Sequence, residues 1–330
     1  MRIGINGFGR IGRTVARLLM KDPSLELVAI NDLADAKAMS HLFKYDSVHG
    51  RYSGEVIAHK NEILIDGRPV KYSSHSKPED IPWGAMGVDI VIEATGKFLR
   101  KSLAEAHVSA GAKRVLLTAP SQDDSVKSIV IGVNEQTLDK SDVIVSNASC
   151  TTNSAAPMVK ILNDLCGIES CYITTVHSYT TDQHLQDAPH RDLRRGRAAA
   201  ESIVPTTTGA AKALTRIFPE LSDVLGGCGI RVPVPDGSLT DLTCIVKRPQ
   251  DIGVINRAFF TAAQGGMKGV LDYTEDPIVS RDVLGDPHSC IFDAQLTSVI
   301  GSMVKVVGWY DNEIGYSHRL IDLLHLMNKN

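Results

Sequence analysis

The sequence predicts two domains: an α/β domain built on a mostly parallel sheet, followed by an α+β domain with a largely antiparallel one. Three observations lead there. The chain has 330 residues, 43% of them apolar, which suits two packed cores better than one. Its first half alternates short apolar strands with helical patterns, the mark of parallel βαβ units. Its second half carries longer strand patterns separated by loops, and closes on an amphipathic helix.

The bulk composition excludes several function classes. A net charge of -3 gives no reason to expect nucleic acid or an anionic membrane as partner. No run of about 18 apolar residues is present, so no spanning helix is expected. The start, Met1 to Asn6, lacks the apolar stretch and cleavage site of a signal peptide, and cytoplasm is the expected compartment. Six cysteines, at 150, 166, 171, 228, 244 and 290, form no CxxC pair, so neither a metal site nor a disulfide framework is expected.

Taken in order, Ile3-Gly4-Ile5 reads as a brief strand, followed by Gly7-Phe8-Gly9-Arg10-Ile11-Gly12, a GxGxxG at a strand-to-helix junction. Apolar residues at helical spacing run on through Leu19. A second strand, Leu25 to Ile30, ends beside Asp32, 20 residues past Gly12. Each part has a physical use. The glycines allow a tight turn and close approach of a pyrophosphate to the helix N-terminus, and the acid accepts hydrogen bonds from ribose hydroxyls. Strand, glycines, helix, strand and acid in this order predict a Rossmann-type dinucleotide site. A carboxylate at Asp32 repels a 2′-phosphate, which favours NAD over NADP. The competing reading is a glycine-rich turn without ligand.

Val88 to Glu93 and Arg114 to Leu117 continue the sheet, with a helical pattern from Leu103 to Ala110 between them. Thr95, Gly96 and Thr118 stand at strand ends, where such sheets bind ligands. They are candidates to line the nicotinamide half, although ordinary turn chemistry also uses these residues. Residues 46–82, with alternating runs around Asp66-Gly67, read as antiparallel hairpins decorating the sheet.

Val143 to Val145 reads as a buried strand that hands over to a helix beginning near Ala155. Cys150 sits at the junction, in Ser146-Asn147-Ala148-Ser149-Cys150-Thr151-Thr152-Asn153. Unpaired N–H groups and the positive end of the helix dipole converge there and favour a thiolate, the nucleophilic form. A buried cysteine is also an ordinary small hydrophobe, and the stretch alone leaves both readings open.

In the second half, Tyr172 to Val176 reads as a strand with His177 following it, and a cysteine nucleophile needs such a base or cation. Residues 179–197 are a long charged loop, an uncommon feature unless functional. Thr206-Thr207-Thr208-Gly209 leads into a helix and is a second potential anion site, or an ordinary N-cap. Arg231 is read at the start of a strand, where an arginine among apolar residues suggests a fixed partner such as phosphate. Asp241 to Lys247 and Met303 to Val307 are strands, and Gly315 to Met327 is the closing helix.

These residues together closely resemble the phosphorylating glyceraldehyde-3-phosphate dehydrogenases. The likeness runs from Ile5-Asn6-Gly7-Phe8-Gly9-Arg10-Ile11-Gly12-Arg13 to Trp309-Tyr310-Asp311-Asn312-Glu313, and is most specific at Ala148-Ser149-Cys150-Thr151-Thr152-Asn153. It implies Cys150 as nucleophile and His177 as its base. In the NAD site it implies Arg10 and Ile11 in the glycine turn, Asp32 at the adenosine ribose, Thr118 at its strand end and Asn312 at the nicotinamide carboxamide, with an adenine-side contact near Ser76 or Lys77. Ser149, Thr151, Thr208 and Gly209 would take inorganic phosphate, and Thr180, Asp182 and Arg231 the phosphate of glyceraldehyde 3-phosphate. The resemblance further implies a homotetramer whose loop, roughly 179–201, reaches a neighbour's cofactor pocket. The implied domains are 1–148 for NAD and 149–312 for catalysis, with the last helix, 313–330, packing back on the first.

The chain departs from the family at three places. Ser154 stands where the family often has a second cysteine. Residues 76–77 lack the arginine many relatives use near adenine. Ala188 replaces a bulkier residue of NAD-specific members, while Pro189 is kept. The implied chemistry is oxidation of the aldehyde through a Cys150 hemithioacetal and thioester, which phosphate then cleaves to 1,3-bisphosphoglycerate. An erythrose-4-phosphate dehydrogenase, which releases its thioester to water, shares these residues. A catalytically silent nucleotide-binding regulator would keep the glycine turn and lack Cys150 or His177.

Overall fold

The computed structural model describes residues 1–329, and the chain divides into two compact units. The first comprises residues 1–129, 136–148 and the chain from Ser317 onward; the second comprises 130–135 and 149–316.

The first unit begins with β1 (Arg2–Asn6), α1 (Arg10–Leu19), β2 (Glu26–Asn31) and α2 (Ala36–Lys44). A two-stranded ribbon, β3 (Tyr45–Asp46) with β4 (Gly50–Arg51), precedes β5 (Val56–Ala58), β6 (Glu62–Ile65) and β7 (Arg68–Ser73). A one-turn α3 (Trp83–Met86), β8 (Ile90–Glu93), α4 (Lys101–Ser109), β9 (Arg114–Leu117), β10 (Lys127–Ser128) and β11 (Ile144–Ser146) complete it. The nine-stranded sheet runs β10-β11-β9-β8-β1-β2-β7-β6-β5. It is parallel from β10 through β7, and only β5 and β6 pair antiparallel. Residues 46–82 are therefore more than decoration, because β7 enters the sheet parallel to β2. The central strands are near-continuous apolar runs because helices cover both faces of such a sheet. One set of contacts joins Val28, Trp83, Met86 and Val91, and another joins Ala104, Val115, Leu117 and Ile144. Val143 is 41% exposed and lies just outside β11, one residue later than the apolar run suggested.

The second unit opens with α5 (Cys150–Cys166) and the long β12 (Ile168–Ser178). Next come β13 (Val204–Thr206), α6 (Ala210–Ile217), β14 (Leu225–Val232), β15 (Ser238–Val246) and α7 (Ile252–Gln264). The unit continues with β16 (Leu271–Thr274), β17 (Cys290–Asp293), β18 (Ser298–Ile300) and β19 (Met303–Tyr310). The sheet order is β13-β14-β12-β15-β19-β17-β16, with β18 on β19. Most pairs are antiparallel; β12 with β14 and β16 with β17 are parallel. α5 lays an apolar face of Ala155, Met158, Val159 and Leu162 into the core. Two expectations about local position change. His177 lies inside β12, which runs one residue beyond it, and Arg231 is the next-to-last residue of β14, where a strand start was expected. Both strands are longer than their apolar runs because ladder hydrogen bonds extend pairing through polar residues.

The closing helix, α8 (Ile314–Lys329), is held in the first unit where Arg114 Nη1 donates to the Met327 carbonyl at 2.7 Å and His325 Nε2 meets Asp22 Oδ2 at 2.7 Å. Among the described residues, no helix is long and apolar enough to cross a membrane.

Candidate active site

The turn from β11 into α5 is tight. Ala148 adopts φ 54°, left-handed backbone that costs a residue with a Cβ about 1–2 kcal/mol. Ser149 is the N-cap, its hydroxyl accepting the Thr152 N–H at 3.1 Å. Cys150 is then the first helical residue, with part of its surface open to solvent.

His177 comes from the neighbouring strand, 27 residues on, and its Nε2 stands 3.3 Å from Cys150 Sγ. Its Nδ1 is 2.8 Å from the Ser178 carbonyl oxygen, and Arg231 Nη1 donates to the same oxygen at 2.9 Å. Arg231 Nη1 also lies 2.8 Å from Nδ1. A guanidinium has no acceptor, so only the Ser178 carbonyl can take a proton from Nδ1. An Nδ1–H given to that oxygen leaves Nε2 open toward the thiol, whereas an Nδ1 that accepts from Arg231 carries the proton on Nε2. The ring is packed edge-on by Tyr310 at 6.0 Å, whose hydroxyl bonds Thr151 Oγ1 and Thr175 Oγ1, each at 3.0 Å.

The electrostatics differ from the expected free thiolate. Burial pushes the Cys150 thiol up, against the pull of Arg231 and the Thr151 N–H. Burial, and then the Arg231 charge, push His177 down to about 3. Desolvation thus opposes the helix terminus at Cys150, and burial favours the neutral form of both groups. Moving one proton from Sγ to Nε2 changes no net charge, so the two groups titrate as a unit.

A polar belt surrounds the pair. Asn312 Oδ1 accepts from Ser178 Oγ at 2.9 Å and Ser238 Oγ at 2.7 Å. Asp311 accepts the backbone N–H groups of Gly285, Glu313 and Ile314. Buried beside it, Asp236 is pushed up to about 9 by desolvation and by the charges of Asp311 and Glu313.

The expected phosphate residues are differently engaged. The Ser149 and Thr151 hydroxyls are occupied by Thr152 and Tyr310. Thr208 Oγ1 accepts the Ala210 N–H at 3.2 Å, and Gly209, the N-cap of α6, faces open space. Thr180 accepts the Gln183 N–H through its carbonyl. Asp182 pairs with Arg195, which donates to Thr206 Oγ1 at 2.8 Å and the Thr207 carbonyl at 3.2 Å. Arg231 feels the Arg195 charge, so two guanidiniums share this side of the unit. The sequence marked Arg195 only as one charge in a loop. Tyr310, Ser178 and Ser238 carried no signal of their own.

The glycine turn of the first unit has the features a dinucleotide needs. Gly7 has φ 93°, and a Cβ there would meet Thr95 N at 2.7 Å; a Cβ at Gly12 would meet the Gly7 carbonyl. Gly9, by contrast, faces open space, and α1 begins there without a side-chain cap. The free N–H groups of that first turn favour an anion. Asp32 accepts the Phe8 N–H at 2.7 Å and the Ala34 N–H at 3.0 Å, which ties the acid to the turn and leaves lone pairs for hydroxyls. Arg10 is held by Asp46 at 2.9 and 3.2 Å, so its guanidinium is engaged within the protein, while Ile11 is half-buried in α1. Beneath the turn lies a buried network that the sequence did not announce. Glu93 accepts from Asn6 Nδ2 at 2.7 Å, the Thr95 N–H at 2.8 Å and the Thr95 hydroxyl, and meets His107 Nε2 at 3.1 Å. Trp83 Nε1 donates to His107 Nδ1 at 2.9 Å, which fixes the Nε2–H tautomer. Thr118 Oγ1 donates to the Glu93 carbonyl, and Gly96 has φ 68°. Ser76 is exposed, after a loop clamped by Asn31 on both backbone groups of His75.

Comparison with known proteins gives consistent matches. Residues 1–101 match the family model described as glyceraldehyde 3-phosphate dehydrogenase, NAD binding domain, and residues 149–312 match the C-terminal domain of the same family. The chain is 52% identical over 326 residues to glyceraldehyde-3-phosphate dehydrogenase 2 of Streptomyces avermitilis, covering 98% of this chain and 97% of that one. It is 50% identical over 325 residues to the Geobacillus stearothermophilus enzyme of that name, covering 98% and 97%. It is 49% identical over 337 residues to that of Mycobacterium avium, covering 100% and 99%.

Proposed function

We propose, on the premise that the chain belongs to the glyceraldehyde-3-phosphate dehydrogenase family, that it is an NAD-dependent glycolytic oxidoreductase converting D-glyceraldehyde 3-phosphate and inorganic phosphate to 1,3-bisphosphoglycerate. The observation that carries the reading is the 3.3 Å contact between Cys150 Sγ and His177 Nε2.

Cys150 Sγ attacks the aldehyde carbon while its proton passes to His177 Nε2 and on to the new alkoxide, giving a hemithioacetal. His177 then withdraws that hydroxyl proton as hydride departs, leaving a thioester on Sγ. Bound NAD+ supplies the hydride acceptor. The imidazolium so formed is held by the Ser178 carbonyl, and its N–H faces the oxygen on which charge develops. Arg231, with Thr180 and Asp182, forms the site for the phosphate carried by the substrate. Arg195, aimed by Asp182, stands with Ser149, Thr151, Thr208 and Gly209 for the attacking phosphate. Two cationic anion sites suit a product that bears two phosphates. For the cofactor, the open position at Gly9 and the uncapped start of α1 fit a pyrophosphate, Asp32 fits ribose hydroxyls, and Gly7, Arg10, Ile11, Gly12, Ser76, Thr95, Gly96, Thr118 and Asn312 complete the assignment.

Leu185 is 80% and Leu193 85% exposed in the loop after β12. Large apolar side chains in a charged loop suit a subunit interface, which supports a homotetramer. Cytoplasm is the proposed compartment.

The test is NADH formation from glyceraldehyde 3-phosphate with and without inorganic phosphate, and with NADP+ in parallel. Turnover that requires phosphate and NAD+ supports the proposal. Turnover indifferent to phosphate moves the assignment to an erythrose-4-phosphate dehydrogenase or another hydrolytic relative. NAD binding with no turnover leaves only a nucleotide-binding regulator.

A further inference from the structure

Cys171 in β12 and Cys244 in β15 stand directly opposite each other in the antiparallel ladder of the second unit. Both are buried, and the Cys244 thiol donates to Cys171 Sγ at 2.8 Å. The backbone register imposes this closeness. In an antiparallel pair a residue turns its N–H and its C=O together, either toward the partner strand or away from it. The Cys171 N–H turns away, to the Val224 carbonyl at 2.8 Å on the β14 side. The two cysteines therefore form a non-hydrogen-bonded pair, the narrow kind, with Cα atoms about 4.5 Å apart. A disulfide spans Cα atoms about 4.4–6.8 Å apart and needs its sulfurs at about 2.05 Å. A short approach of two side chains is thus all that separates this pair from a bond. The register shifts between Ile168 and Ser170, just before Cys171, so the ladder is interrupted at this end. An open cavity of about 520 Å³ lies there, lined by both cysteines with Ser170, Tyr172, Thr243 and Ile245, and gives a small oxidant an approach. The hydrogen bond with Cys171, and then burial, push the Cys244 thiol up, so Cys244 stays a thiol until its partner has reacted.

We propose that Cys171 and Cys244 are a modification site, which a peroxide converts to a cross-strand disulfide stapling β12 to β15, independently of Cys150. Cys171 is 5% exposed and Cys244 0%, so Cys171 reacts first. Its Sγ attacks one oxygen of hydrogen peroxide, the O–O bond breaks, and the thiol proton leaves with the other oxygen as water. Cys244 Sγ then attacks the sulfenic sulfur of Cys171. The S–O bond breaks, and the departing hydroxide takes the Cys244 proton as a second water. Two thiols lose two electrons and two protons, and one peroxide becomes two waters. A dithiol reductant reverses the step by exchange. Cys150 has no thiol one turn further along its helix, where Ser154 stands, so the paired sulfurs lie elsewhere in the sheet. The bridge would join residues 73 apart in sequence and so restrict the unfolded chain. It would also tie down the strand that carries His177.

The experiment treats the native wild-type protein with hydrogen peroxide, blocks the remaining thiols with iodoacetamide in denaturant, and maps the unreduced peptides by mass spectrometry. The expected product is a linked peptide pair joining Cys171 to Cys244 within one chain, lighter by two hydrogens than the two thiol peptides and released by dithiothreitol. Cys150→Ser should form the same link, since the proposal gives Cys150 no part in it. Urea unfolding then reads the staple: peroxide should raise the midpoint of the wild type relative to its effect on Cys171→Ala and Cys244→Ala, which yield no such link. If the alanine variants fail to fold, the peptide map of the wild type decides. Both thiols still open to iodoacetamide after Cys150 has been oxidised would overturn the proposal. So would a bridge to any other cysteine, a bridge between chains, or loss of the link in Cys150→Ser. A Cys171–Cys244 link with no rise in midpoint over the alanine variants overturns the stapling role.

Discussion

Asp236 offers a stability prediction of definite sign. It is 1% exposed, and its Oδ1 accepts the Gly237 N–H at 2.9 Å. Desolvation, and then the charges of Asp311 and Glu313, favour the protonated Asp236 carboxyl. The Asp236 carboxyl is raised from 3.8 to about 9. A raised carboxyl contributes stability that is complete below its unfolded value and is lost as pH climbs through the folded one. Between those limits the unfolded chain releases a proton that the folded chain keeps, and each pH unit removes about 1.4 kcal/mol. At pH 7 the loss is at most about 4 kcal/mol, and sharing of charge among Asp236, Asp311 and Glu313 reduces the expected figure to about half of that. Asp236→Asn keeps Oδ1 for the Gly237 N–H and titrates in neither state. The variant should therefore be more stable than wild type at pH 8 and close to it at pH 5. The assay is urea unfolding at pH 5, 6.5 and 8, at fixed protein concentration because subunit association contributes to stability. A gap between variant and wild type that does not widen with pH would refute the reasoning, since a simple packing gain has no pH slope.

Other changes probe the two sites separately. His177→Asn removes the proton acceptor 3.3 Å from Sγ and should slow alkylation of Cys150 by iodoacetamide at pH 7 about 100-fold, as expected for loss of a general base. The deficit should shrink as pH rises and the buried thiol ionises unaided, and an equal deficit at pH 10 would contradict the paired titration. Gly7→Ala forces a Cβ against Thr95 N from a left-handed backbone and should cost about 1–3 kcal/mol in thermal stability. Gly9→Ala meets nothing within 4 Å, so its melting temperature should hold while NAD+ affinity falls. Equal melting losses for both glycine variants would show that Gly9 serves the fold.

Much of the molecule could be read from short stretches of sequence. The glycine turn, its strand and helix, and Asp32 lie within one βαβ unit, where period, turn chemistry and spacing are local properties. The Cys150 junction is equally local, since an apolar strand running into small polar residues and a helical pattern announces the handover, although the helix begins at Cys150, ahead of the apolar pattern that starts at Ala155. Strand ends were less well placed: His177 fell inside β12 and Arg231 next to last in β14, because ladder bonds supplied by partner strands extend a strand past its apolar run. What the residues alone could not decide is which distant groups meet. Parallel pairing of β12 with β14 sets Arg231 opposite His177, 54 residues away. β19 brings Tyr310 to Thr151, and the turn after it brings Asn312 to Ser178, 134 residues apart. The state of the nucleophile was also a tertiary matter. A helix N-terminus lowers a thiol's pKa wherever it occurs, but the burial that reverses the effect depends on what packs over it. The sequence by itself determined the nature of each chemical group and the local turn that presents it. The tertiary structure decided the protonation and the partners, because both depend on solvent exclusion and on contacts between strands far apart in the chain.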